Sequence, residues 1–427
     1  MKPLLPALFA VQKVMLVCSY WFYRLMTPRA KRDSIDWVVG AVETASMIHQ
    51  IADALESAKS VNLTSSLYYR FRYDYDHDHD QLTSAGRRFV FLRMTVLRPI
   101  LLGRLMNLTR GFIYVAQSGF MFDGFDAREF EFKFLKSKGR KLGIYWCGSE
   151  IRSPKLMSEL EQSMGQPNVF SYITQIAPEF GAEAHERILQ KRAHVGNLYA
   201  DVMFDCPTDQ KSYLAGHREP FFYYMPPELF DDNLHKFDDL SRIVVTHAST
   251  SPIIKGTQLV RAAVAKLREG GYDFEYVELI GLGHDEVMKQ LKRTHVALNQ
   301  FFGFTTAVFG VEAMAARCAV LSSADETIET SLPPGANQAT FVTKHWQVYD
   351  NLKSLLDHPE RIEPLADAGQ AWARRFASAE GAGALLKGIL DSVLDGSYDK
   401  NARTLLTNAQ IYGVESIEDN SGKVTAK

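Results

Sequence analysis

In the second half of the chain, short apolar runs alternate with longer stretches in which apolar positions recur at helical spacing. Ile243 to Thr246, Phe274 to Ile280 and His295 to Leu298 read as strands. Gln258 to Arg268 and Asp285 to Arg293 read as helices, the first closed by Gly270-Gly271. Strands alternating with helices of this length predict βαβ units and a parallel sheet, with ligands held at the carboxyl ends of the strands.

Asn299 to Ser323 carries the strongest local signal. The strand Val296 to Leu298 leads into Gly303, Thr305 and Thr306; then come an apolar helix bearing the single acid Glu312 and a strand from Ala319. This predicts that the Thr pair caps the helix and that the helix start holds an anion such as a diphosphate. A lone carboxylate on an apolar helix needs a partner, and a ribose hydroxyl pair would suit Glu312.

The first half is less regular. Val38 to Ala58 contains Gly40 and then a helical pattern through Ile48, Ile51, Ala52 and Leu55. Phe112 to Ala116, Lys141 to Tyr145 and Val202 to Phe204 read as strands. Pro226 and Pro227 mark an interdomain connection, and a C-terminal helix is expected over Ala366 to Leu394 with a break near Gly381. The expected division is residues 1–235, residues 236–395 and a polar tail, 396–427.

With 427 residues, the chain exceeds one ordinary core. A net charge of −2 gives no global attraction to nucleic acid or membrane. Cys18, Cys147, Cys206 and Cys318 lack metal or disulfide spacing, so reduced thiols in a cytoplasmic protein are expected. The glycosylation-type triplets at Asn62 and Asn107 would then go unused. Leu4 to Met26 is apolar but interrupted by Gln12 and Lys13, and fits neither a signal peptide nor a full span. An interfacial segment and a buried first element both remain open.

A second candidate loop, Thr246 to Thr257, follows a strand and precedes a helix. Ser249, Ser251 and backbone N–H groups suit phosphate oxygens, and Lys255 supplies a point charge before Gly256. Lys255-Gly256-Thr257 before a helix, with Val311-Glu312-Ala313-Met314-Ala315 and a following Val320, resembles the C-terminal domain of family 4-like glycosyltransferases. The resemblance runs from Asp239 to Leu390. It is looser at Gly148-Ser149-Glu150-Ile151-Arg152 and Ala200-Asp201-Val202.

This resemblance implies an α/β chain with two Rossmann-like domains in the GT-B arrangement, a cleft between them and a C-terminal crossover helix. It implies a hexosyltransferase-like enzyme that moves a sugar, with retention, from a nucleotide-sugar donor to a glycan or lipid-linked acceptor in polysaccharide or cell-envelope biosynthesis. Lys255 would contact the donor diphosphate and Glu312 the ribose. Ser249, Ser251, Gly256, Gly303, Thr305 and Thr306 would complete the donor side, with Gly148, Ser149, Glu150 and Arg152 on the acceptor side. No metal or other cofactor is required. The chain departs from the family pattern in several places. Phe304 stands where a sugar-contacting Glu is common, Ser249 where an Arg is common, and Thr305-Thr306-Ala307 replaces a Gly-x-Gly loop. Arg317-Cys318-Ala319-Val320 replaces a Gly-x-Pro-Val, and no His stands at Trp146 or Cys147. A catalytically degenerate donor-binding partner subunit, and a sugar epimerase or hydrolase of this fold, therefore stay open.

Two polar segments complete the reading. Tyr73 to Asp80 alternates acids with His77 and His79; a divalent ion, an acceptor-facing loop and a plain solvated loop all fit it. Gln81 to Phe122 has no acid and carries Arg87, Arg88, Arg93, Arg98, Arg104 and Arg110 among apolar residues. This suits peripheral contact with the inner face of a cell membrane, equally a lipid-diphosphate acceptor, or a core helix with a solvated Arg face. Nucleic acid is not expected, because stacking aromatics are few. His284, His295 and His345 read as structural.

Overall fold

The computed structural model describes residues 5–64, 77–80, 92–122, 124 and 126–400. Tyr73 to Asp76, Arg87, Arg88 and the tail beyond Lys400 lie outside them. Two wholly parallel sheets organise the chain. The first contains β1 (Ile35–Gly40), β2 (Ala58–Asn62), β3 (His79–Asp80), β4 (Thr109–Val115), β5 (Lys141–Tyr145), β6 (Val202–Asp205) and β7 (Glu219–Pro220), in the order β3-β2-β1-β4-β5-β6-β7. The second contains β8 (Val244–Ala248), β9 (Glu275–Leu279), β10 (Val296–Leu298), β11 (Ala319–Ser322) and β12 (Phe341–Val342), in the order β12-β11-β10-β8-β9.

Both orders reverse at one point. The chain builds outward from β1 through β2 and β3, then returns to add β4 on the other side; in the second sheet it goes from β8 to β9 and returns to β10. The βα loops on either side of such a reversal diverge and leave a crevice at the carboxyl ends of the strands. In the register of the second sheet, Leu298 stands beside both His247 and Leu321. The central strands are buried and largely apolar on both faces because helices cover both. Val245, Val296, Leu298 and Leu321 are fully buried on one side, and Ala297 and Val320 on the other.

The expected C-terminal helix is broken where the sequence marks it. Helices Ile362–Phe376 and Gly381–Asp395 flank the turn. There the two interdomain segments cross and pair: the Met225 N–H donates to Ala377 O at 2.8 Å, and the Ala379 N–H to Met225 O at 2.9 Å. The final helix then lies on the first domain. Gly383 packs against Ala54, and Leu386, Leu390 and Val393 join Ile48, Ile51 and Leu55 in one apolar core. That core also takes Val311, Met314 and Ala315 from the second domain, so it runs continuously beneath the cleft. Asn62 and Asn107 are buried and hydrogen-bonded, which leaves neither open to glycosylation in the fold.

Candidate functional site

A cavity of about 250 Å³ opens at the reversal point of the second sheet. Ser249 and Lys255 line it from the loop after β8, Leu282 and His284 from the loop after β9, and Ala307 and Glu312 from the helix after β10. Ala45 closes it from the first domain, so the site lies between the two domains. Ser249, Lys255 and Glu312 are thus brought together as the sequence reading expected. Ser251, Gly256, Gly303, Thr305 and Thr306 do not line it themselves but belong to the loops after β8 and β10.

Glu312 is buried on the second turn of helix Ala307–Ala315, whose other residues are apolar or glycine. The carboxylate is not alone. His284 Nε2 lies 2.8 Å from Glu312 Oε1, with both side chains almost wholly buried. Burial opposes charge on the ring, but the bond to Glu312 and its negative charge carry the imidazole above its ordinary value. The pair thus favours the protonated ring more than a buried imidazole alone would. His284 also lines the cavity. Its position at the start of helix His284–Leu291 gave no sequence signal, because its partner is 28 residues away.

The Thr pair does not cap the helix. Thr306 has α-region backbone angles, φ −68° and ψ −23°, not the extended angles of a capping residue, and its side chain makes no cap bond. The loop is instead fixed through carbonyls: Asn299 Nδ2 donates to Thr306 O at 2.6 Å and Gln300 Nε2 to Thr305 O at 2.7 Å. Ala307 then adopts a left-handed φ of +50°. A right-handed residue followed by a left-handed one turns successive N–H groups into one concavity, a backbone nest for an anion. The nest opens the helix, so the positive end of its dipole adds to it.

Lys255 ends a short helical turn, Pro252–Lys255, and Gly256 takes a left-handed φ of +75° so that helix Thr257–Glu269 can start in a new direction. Lys255 Nζ donates to Gln300 Oε1 at 3.0 Å. Burial pushes its ammonium down to about 8 against the pull of Asp209 and Glu312. His247 braces the loop from behind, with Nδ1 on Leu298 O at 2.7 Å and Nε2 on Thr257 Oγ1 at 2.9 Å.

Two of the residues expected on the acceptor side, Glu150 and Arg152, have internal partners. Arg152 forms a close ion pair with Asp209 at 2.5 Å, and Glu150 accepts the N–H of Cys147. Asp209, which carried no sequence signal, reaches across the domains: its Oδ1 accepts the Phe304 N–H at 2.7 Å. Phe304 is buried, so the position where a carboxylate is common is turned inward and held. Glu329 reaches back, accepting the N–H groups of Thr208 at 2.9 Å and Asp209 at 2.7 Å, and burial pushes its carboxyl up to about 7. Phe302 completes the contact by packing among Met157, Val169, Phe170 and Ile173 of the first domain.

A further acid lies at the reversal point of the first sheet. Glu43, just beyond β1, is wholly buried and accepts the N–H groups of Thr44 at 2.8 Å, Ile48 at 3.1 Å and His49 at 3.2 Å. Burial still pushes its carboxyl up to about 7, and His77 Nε2 lies 3.4 Å away. Asp78 is spent on the sheet, where it accepts the Ser60 N–H at 2.9 Å and pairs with Lys59. Among the described residues, no three His, Cys, Asp or Glu side chains are grouped to hold an ion.

No protein-family model matches this chain. No curated protein matches it in sequence. Solved structures do match in fold. The chain is similar to a sucrose-phosphate synthase from Thermosynechococcus elongatus, with TM-score 0.55 and 12% identity over 85% of this chain and 100% of that one. A glycosyltransferase from Rickettsia africae gives TM-score 0.49 and 10% identity over 85% and 99%. A UDP-GlcNAc 2-epimerase from Neisseria meningitidis gives 0.42 and 10% over 84% and 99%. At 12% identity the likeness to the first of these concerns the fold alone: two facing Rossmann-like domains, the GT-B arrangement.

Proposed function

We propose that this protein is a glycosyltransferase that moves a sugar from a nucleoside-diphosphate donor to a glycan or lipid-linked acceptor. One observation carries the reading. A cation, Lys255, a backbone nest at Thr306-Ala307 and a buried carboxylate, Glu312, converge on one cavity at the carboxyl ends of parallel strands. The diphosphate fits between Lys255 and the nest, and the ribose hydroxyls suit Glu312. As the sugar leaves, negative charge grows on the diphosphate. Groups already pointed at that charge stabilise the transition state more than the bound substrate. A cation and a helix start supply this without a metal. Ala45 of the first domain lines the cavity, so closer approach of the two domains around a bound donor would reduce water access and favour transfer over hydrolysis.

The buried Phe304 supports a second reading, a donor-binding partner subunit without turnover, since the chain places no carboxylate there. The test is a panel of UDP, GDP, ADP and CMP sugars, followed by product analysis with and without acceptor. Transfer to acceptor supports the first reading, and binding without turnover the second. Free sugar or an epimer formed without acceptor points to a hydrolase or epimerase instead.

A further inference from the structure

The helix Leu5–Met26 has two unlike faces. Phe9, Gln12, Leu16, Ser19 and Tyr20 are buried against the protein. On the opposite side Val11, Val14, Val17, Cys18, Trp21, Phe22 and Leu25 share one helical face, in rows spaced three and four residues apart, and all are exposed. Val14 is 60% exposed, Trp21 53%, Phe22 57% and Leu25 83%. The stripe contains no charged residue from Val14 to Phe22. An exposed apolar band of this extent marks an interaction surface.

Polar bonds along the helix hold it flat on the domain. Gln12 Nε2 donates to Met94 O at 2.6 Å, Ser19 Oγ to Pro99 O at 3.2 Å and Asn107 Nδ2 to Tyr20 O at 3.0 Å. By length and composition the helix could cross a bilayer, but crossing would break these bonds and strip its buried face from the domain. It can lie in the plane of one with the stripe outward.

Charge decides the occupant. No acid precedes Asp33, whereas Lys2, Lys13, Arg24, Arg29, Lys31 and Arg32 do. The segment packed beneath the helix belongs to the acid-free run from Gln81 to Phe122. Lys138 sits 5.0 Å from the Trp21 ring centre, at the edge of the stripe. A second copy seated symmetrically on this face would bring like charges together with few acids to offset them. An anionic bilayer offers hydrocarbon for the stripe and phosphates for its flanks. We propose that this face docks the protein, lying flat, onto an anionic membrane surface.

This seating does not depend on the sugar-transfer reading, and it is measured without donor or acceptor. Cys18 lies within the stripe and is the exposed thiol among four free cysteines, so it takes a polarity-sensitive fluorophore. The labelled full chain is mixed with phosphatidylcholine vesicles with and without about 30 mol% phosphatidylglycerol. The expected result is a blue-shifted emission and cosedimentation with the anionic vesicles, both reduced by added salt. The combined change Trp21→Ser, Phe22→Ser and Leu25→Ser is expected to weaken binding at least about tenfold while leaving the unfolding midpoint in place, since these side chains are exposed. The proposal is overturned if the wild type ignores anionic vesicles. It is equally overturned if the wild type sediments as a dimer that the triple change converts to monomer.

Discussion

His284 Nε2 and Glu312 Oε1 stand 2.8 Å apart across the floor of the interdomain cavity, joining the loop after β9 to the helix after β10. The bond raises the imidazole above its ordinary value, so it contributes stability that is fully present at acidic pH and lost as pH rises through the folded value. The stability difference between wild type and His284→Gln is therefore expected to shrink as pH is raised from 6 toward 9. Thermal unfolding of both proteins across that range checks it; a constant difference contradicts the charged pair.

Lys255 titrates close to physiological pH, its ammonium pushed down to about 8 by burial. A neutral amine attracts a diphosphate less than an ammonium does. Donor affinity is expected to fall as pH rises from 7 to 9 in the wild type and to stay level in Lys255→Arg, whose guanidinium does not titrate there. Lys255→Ala is expected to lose about 1.5–3 kcal/mol of donor binding. Titration calorimetry at three pH values separates these outcomes.

Asp209 joins the domains through Arg152 and the Phe304 amide. Asp209→Ala leaves a nearly buried guanidinium without its counter-ion, though Nε still donates to the residue 209 carbonyl, and leaves the buried Phe304 N–H without its acceptor. The expected loss is about 3–5 kcal/mol of stability, measured by chemical denaturation. A loss near zero would show that the contact does not hold in solution.

Phe302 is the apolar counterpart of that contact, seated among Met157, Val169, Phe170 and Ile173. Phe302→Ala is expected to cost about 3–5 kcal/mol and to increase the radius of gyration in solution scattering as the domains part. An unchanged radius would place the holding force elsewhere.

The sequence reveals the second domain well because its strands are short β-branched runs separated by amphipathic helices. β10 and the break between the last two helices fall where the pattern puts them. Ala58–Asn62 went unseen because Lys, Ser and Asn dilute its pattern; pairing with β1 and β3 makes it a strand. Lys255 and Glu312 stand out as lone charges beside apolar elements. The partners of the site do not. His284 lies 28 residues from Glu312 and Asp209 lies 95 from Phe304, and only the fold brings them together. The nest at Ala307 is a backbone angle on an ordinary residue, and composition cannot reveal it.

Lys255, the nest and Glu312 are proposed to form one nucleotide site. The most direct measurement is titration calorimetry of UDP, GDP, ADP and CMP against the wild type, Lys255→Ala and Glu312→Gln. The account predicts that at least one nucleotide binds the wild type and that each substitution weakens it by about tenfold or more, or about 1.4 kcal/mol. No binding by the wild type, or Glu312→Gln binding as tightly as the wild type, would contradict it.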